Sequence, residues 1–228
     1  MRGLTVIGGI IALTQAGPIA RAAWQASQAD TVVYYMRTGQ AAKVDAASAR
    51  AGIDALGRAI AADPVPTRYL NRSELVGAAA LTPSLGDAAV RKEWMRRARA
   101  DLVTGLAGAP AHGIDWLRLA TLQLELEGPS RSVMAMLFIS IEMAGRMPQT
   151  WRPRLRLILD SWPLLNDQQK ERLKAHVAMI WDHSRLDRRL FGYVTHSAAD
   201  QAILTWFLRD VPKAPYEYAD IIQKVQKE

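Results

Sequence analysis

The chain has 228 residues, half of them apolar, enough for one sizeable core or a short array of repeats. It contains no cysteine, which excludes disulfides, thiolate catalysis and cysteine-ligated zinc. A formal charge of +7 with a pI near 9.9 permits nucleic acid, anionic lipid or acidic polymer as a partner, and equally a basic surface with no specific ligand.

From Gly3 to Ala20 run 18 residues without a charge, GLTVIGGIIALTQAGPIA, between Arg2 and Arg21. The length just spans a bilayer, although Thr5, Thr14, Gln15, Pro18 and four glycines weaken it as a membrane helix. A signal peptide is the rival reading: its apolar core runs from Leu4 to about Ala16, and Ala20-Arg21-Ala22 supplies a small-x-small cleavage pattern. Either places the remaining chain outside the cytoplasm, and a buried first helix of a soluble protein is the third possibility. Residues 1–38 therefore read as a signal-anchor or signal peptide with a stalk helix, and 40–228 as an α-helical domain. The stalk pattern passes through Trp24, Val32, Val33 and Met36 without a break and stops at Thr38-Gly39.

Ala46, Ala49, Ile53, Leu56 and Ile60 share one face of the next helix, with Arg50, Asp54 and Arg58 on the opposite face. Asp63-Pro64 ends it, and a shorter helix from about Thr67 carries Tyr69, Val76, Ala79 and Ala80. Asp87 caps a long helix to about Leu106, whose inner face is Val90, Trp94, Ala98 and Leu102. Arg91, Lys92, Arg96, Arg97 and Arg99 form the densest positive run in the chain.

The stretch from Gly113 to Pro148 holds two strongly apolar helices around Gly128-Pro129-Ser130, the second almost entirely apolar from Val133 to Ile139. A helix so apolar must be covered on several sides. Trp151, Leu155, Ile158 and Trp162 then make a helical stripe interleaved with Arg152, Arg154 and Arg156. Arginines in a first turn oppose the helix dipole, so either Pro153 delays the helix or the cluster has a partner. Asn166 with Gln169 reads as a capping box for a helix to about Trp181, lined by Leu173, Val177, Ile180 and Trp181. Ser184 with Asp187, and Ser197 with Asp200, repeat that start signal before two shorter helices. The last helix places Tyr218, Ile221, Ile222 and Val225 on one face.

Helical hairpins ending at Pro64, Pro110 and Pro148 suggest a solenoid of helix pairs. Trp116, Leu119 and Ala120 fit the first-helix core of a tetratricopeptide unit, and Ser132, Met136 and Ile139 fit its second helix. Gln123 stands where that pattern has an aromatic residue, and Pro148 closes the unit late. From DWLRLATLQLELEGPSRSVMAMLFISIEMAGRMP through LKAHVAMIW, about Ile114 to Trp181, the chain resembles the small helical-repeat proteins found beside O-antigen ligases and polymerases in bacterial exopolysaccharide gene clusters. The resemblance implies an all-α, right-handed, tetratricopeptide-like solenoid behind an N-terminal hydrophobic helix. It also implies a membrane-tethered, periplasm-facing assembly factor, anchored by one pass in the inner membrane or released to the periplasm after cleavage.

No catalytic motif emerges. His176 and His183 can share a helix face, but no third ligand accompanies them, and His112 and His196 stand apart. There is no phosphate-binding glycine loop, nucleophile elbow or paired-carboxylate signature. Of the seven tryptophans, Trp94, Trp151, Trp162, Trp181 and Trp206 fall on or beside apolar stripes, where packing is the expected use. No cofactor, metal or catalytic residue is expected. Partner binding is assigned to Arg91, Lys92, Arg96, Arg97, Arg99, Arg152, Arg154 and Arg156, with a membrane protein or complex as partner and acidic polymer or anionic lipid as further candidates. A helical enzyme acting on envelope polysaccharide is one alternative. A nucleic-acid binder is the other, disfavoured by export.

Overall fold

A computed structural model describes residues 16–38 and 40–227. Every regular element among these residues is helical, as the patterning predicts. No helix among them is long and apolar enough to cross a membrane. Most of the uncharged lead, where an anchor or signal peptide is expected, lies outside the described residues; its last part, 16–20, is helical and exposed. The chain divides into two compact units, Met1–Ala111 and His112–Glu228.

In the first unit, α1 covers 16–27, α2 Asp30–Arg37, α3 Ala46–Ala62, α4 Pro66–Ala80 and α5 Ala88–Gly108. The continuous stalk helix expected after Arg21 is instead broken at 28–29. Two i→i+3 bonds, Gln28 N to Gln25 O and Ala29 N to Ala26 O, tighten the chain there. Arg58 of α3 holds the turn by donating to the side-chain oxygens of Gln25 and Gln28 at 2.7 and 3.0 Å. Asp45 and Asp87 cap α3 and α5 through the backbone N–H groups of Ser48 and Val90.

The pair α4 and α5 packs most closely. A side chain at Gly105 would stand 2.5 Å from Leu70 Cδ2 and 3.2 Å from the Pro66 carbonyl, so only a hydrogen fits at that crossing. Beside it, Asp101 is buried, and Arg72 donates to both its oxygens at 2.7 and 2.6 Å. That fork is planar, bidentate and largely out of water, the geometry in which an ion pair contributes specificity as well as energy.

The second unit comprises α6 Gly113–Glu127, α7 Arg131–Ala144, α8 Trp151–Asp160, α9 Asp167–His183, α10 Arg189–Tyr193, α11 Ala198–Leu208 and α12 Ala214–Val225. The α6/α7 hairpin turns at Gly128, whose φ of 80° suits a residue without Cβ, and Ser130 caps α7. One apolar core runs through the unit, from Leu117 and Ala120 through Leu137, Leu155, Val177 and Trp181 to Phe207, Tyr218 and Ile222. The Asn166–Gln169 capping box forms in both directions, and Ser197 caps α11. Ser184 does not act as predicted: it is the C-cap of α9, donating to Trp181 O at 3.3 Å, and α10 starts at Arg189 without a side-chain cap. The last helix docks through buried Tyr218, whose hydroxyl lies 2.8 Å from Thr195 Oγ1.

Removing the Asp101 carboxylate by Asp101→Asn leaves Arg72 charged and poorly matched, and is expected to destabilise the first unit by about 3 kcal/mol. Urea unfolding measures the loss, and hydrogen exchange in α4 and α5 locates it; a change below about 0.5 kcal/mol would class the pair with surface ion pairs.

Candidate partner-binding surface

The eight basic residues expected to bind a partner do not form one kind of surface. On α5, Lys92 and Arg96 are exposed, while Arg91, Arg97 and Arg99 are half-buried. Among the described residues Arg96 makes only a 3.4 Å contact with Glu93, both side chains being more than half exposed. Arg91 buries its Nε without a hydrogen-bond partner among the described residues. Arg97 turns toward α3, where its Nη2 approaches Gly57. The helical period explains the sorting: positions 92, 96 and 99 fall on one side, 91 and 97 at the edges of the buried arc holding Trp94, Ala98 and Asp101.

On α8 the three arginines have three different roles. Arg152 is exposed, with its guanidinium 5.8 Å from the Tyr193 ring; Arg189 lies at the same distance from that ring. Arg156 is half-buried and ties α8 to the start of α11. It donates to Asp160, to Asp200 at 3.0 Å and to the Val194 carbonyl at 2.9 Å. Burial alone would push the Asp200 carboxyl up, but the Arg156 guanidinium and the His196 backbone N–H outweigh it and hold Asp200 below the usual carboxylate range.

Arg154 is withdrawn from the surface altogether: it is fully buried. Its Nη1 donates to the carbonyls of Ala144 and Gly145 at 2.9 and 3.2 Å, and its Nη2 to the carbonyl and hydroxyl of Ser140, both at 2.8 Å. Trp151 Nε1 adds a bond to Gly145 O at 3.3 Å. Ala144 and Gly145 close α7, where carbonyls lack intrahelical donors and the helix carries its negative end, and Ser140 stands one turn earlier. The partner that the arginine cluster calls for is thus a helix C-terminus. Pro153 does not delay α8, because it is the third residue of the helix and its missing N–H is not needed there.

Among the described residues no carboxylate compensates Arg154, and burial pushes its guanidinium down to about 10, so it stays protonated at neutral pH. Beside the same turn lies His176, which is buried and whose Cε1 is near Gly145. Burial, and secondarily the positive charge of Arg154, push the imidazole down to about 4. Its Nε2 has no hydrogen-bond partner among the described residues.

Trp94, Trp151 and Trp181 are buried, as packing predicts. Trp162 and Trp206 are half-buried, 5.4 Å apart in edge contact, and their rings carry Lys170, Lys174 and Arg209 within 4.8 to 5.5 Å. No group of three His, Asp or Glu side chains among the described residues is placed to hold a metal ion. His183 instead sets its Nδ1 2.9 Å from the Met179 carbonyl, and His112 lies 3.4 Å from Asp115.

Sequence reasoning placed the charges but not their partners. Arg72 meets Asp101, and Arg156 meets Asp200, across 29 and 44 residues, and no local pattern announces either pair. A signal for Arg154 was present in its helical spacing: Trp151, Arg154, Leu155 and Ile158 share one face. Comparison with protein families, with curated proteins and with solved structures found no match.

Arg154→Met keeps the apolar stem but leaves the α7 carbonyls without donors, and is expected to destabilise the second unit by about 3 kcal/mol or more. Arg152→Ala, two residues before it on the exposed side of α8, should change stability by less than about 0.5 kcal/mol in urea unfolding. His176 titrates near 6.5 when unfolded and about 4 when folded, so between those values the unfolded chain holds more protons. Stability therefore falls as pH drops through that window, by about 3 kcal/mol in all. In His176→Leu this component of the pH dependence should vanish; a parallel curve for wild type and variant would assign the acid sensitivity elsewhere.

Proposed function

We propose that the protein is a non-catalytic helical scaffold, tethered at the periplasmic face of the inner membrane, that holds a membrane protein of cell-surface polysaccharide assembly. The observation that carries the reading is the apolar surface left open on the first two helices. Trp24 is 63% exposed, Tyr34 58% and Ile19 55%, on α1, which begins in the last part of the uncharged lead, and on α2 after it. Aromatic residues with an apolar body and a polar tip suit the boundary between bilayer and water, and suit the rim of a partner that emerges there. Exposed apolar side chains of this size on one segment mark an interaction surface more readily than a solvated one.

The helix pairs α4/α5 and α6/α7 support a tetratricopeptide-like arrangement, in which units stack and present a surface instead of enclosing a catalytic cleft. Buried charge in both units supports helix placement: Arg72 on Asp101, Arg154 on the end of α7, Arg156 on Asp200. The exposed cations Lys92, Arg96 and Arg152 remain as steering groups for an acidic partner surface.

Alkaline phosphatase fused to the C-terminus is active only outside the cytoplasm and is expected to be active here. Detergent extraction should then co-purify a membrane protein with the wild-type chain, and Trp24→Ser with Tyr34→Ser should lose it by at least about tenfold, as expected for paired aromatic anchors. An inactive fusion would overturn the tethered reading. Retention of the partner by the double variant would move the interface away from α1 and α2.

A further inference from the structure

Gly57 lies in the interior of α3, where glycine weakens a helix relative to alanine. Packing does not require it. A Cβ placed there would stand 3.4 Å from Arg72 Nη1 and 3.5 Å from Arg97 Nη2, ordinary contact distances, with no other atom of a neighbouring helix among the described residues within 4 Å. Gly52 in the same helix differs, since its Cβ would press on Leu75 at 3.1 Å. What a methyl group at position 57 would occupy is the space beneath two guanidinium groups.

Those groups arrive from separate helices, Arg72 from α4 and Arg97 from α5. Both distances refer to one point, so the two nitrogens are no more than about 7 Å apart, a gap that an oxyanion accepting two bonds of about 2.9 Å nearly closes. Arg72 is already oriented: its Nε and Nη2 are taken by Asp101, which leaves Nη1 directed at Gly57. Arg97 pairs with no carboxylate among the described residues. Asp101 already balances Arg72, so Arg97 is the cation left without a counter-charge there, and an anion between the two guanidinium groups supplies one.

We infer that Arg72 and Arg97, meeting over Gly57, form a binding site for a phosphate-type oxyanion. Arg72 supplies a donor already fixed by Asp101, Arg97 a second donor, and Gly57 the room for a ligand oxygen. The inference requires only a folded first unit and stands whether or not the scaffold reading holds.

Calorimetric titration of the full-length protein with inorganic phosphate, against chloride at matched ionic strength, tests it. Phosphate should bind, and Arg97→Gln should weaken it by about tenfold or more, the loss expected for a charge-assisted hydrogen bond. Gly57→Ala separates ligand binding from folding: it should weaken phosphate similarly while the melting temperature holds or rises. Absence of phosphate binding beyond chloride, or binding that survives both substitutions, would overturn the site. Vesicles of phosphatidylglycerol, compared with phosphatidylcholine, then name the source. Retention lowered by Arg97→Gln and Gly57→Ala assigns a lipid headgroup, and retention indifferent to both assigns free or polymer-borne phosphate to a site already upheld by the titration.

Discussion

The second unit depends on one cation held against the end of one helix. An α-helix leaves its last carbonyls without donors, and in a packed interior no water is at hand to supply them. Arg154 supplies four hydrogen bonds from one side chain to Ser140, Ala144 and Gly145, and thereby fixes where α7 stops relative to α8. A carboxylate partner would have neutralised the charge but left the carbonyls unsatisfied. Using carbonyl dipoles as the counter-charge does both tasks with one group, and the negative end of α7 makes the site favourable for a cation. His176 follows from that choice. With a permanent positive charge and an apolar core beside it, the imidazole stays neutral through the neutral range.

The first unit solves a similar problem differently. Asp101 sits in the α4/α5 crossing, where Gly105 admits the close approach, and Arg72 reaches across to fork onto it. Here the buried charge is balanced within the pair. The remaining nitrogen of the same guanidinium, Nη1, is what faces Gly57, so one residue belongs to the packing and to the candidate anion site at once. Charge in this chain is thus divided by burial. Lys92, Arg96 and Arg152 face solvent, and Arg72, Arg154 and Arg156 hold helices together.

The helical class, the capping residues Asp87, Ser130, Asn166 and Ser197, and the stripes of α9 and α12 were legible because each depends on neighbours within a turn or two. The break at 28–29 was not, because Arg58 makes it from thirty residues away. Ser184 failed as a start signal for a related reason: a serine near the end of a helix can turn its hydroxyl back to a carbonyl as readily as forward to an N–H. The arginine cluster of α8 was visible as charge, and its conflict with the helix dipole was visible too. The resolution, a second helix end placed within reach, exists only in three dimensions. Pattern reading assigns a side chain to a face and says little about what the facing element offers.

The placement of Arg154 also bears on ionic strength. Exposed pairs such as Arg172 with Glu142 and Lys224 with Asp220 act through water, and counter-ions screen them within a Debye length of about 8 Å at physiological salt. Arg154 is closed off from counter-ions by the core around it, and its partners are dipoles that no added salt can displace. The junction of α7 with α8 is therefore as firm in concentrated salt as in dilute buffer, whereas the rim of the same unit loosens. A protein built this way can exchange contacts at its surface as its ionic surroundings change without altering the register of the helices beneath.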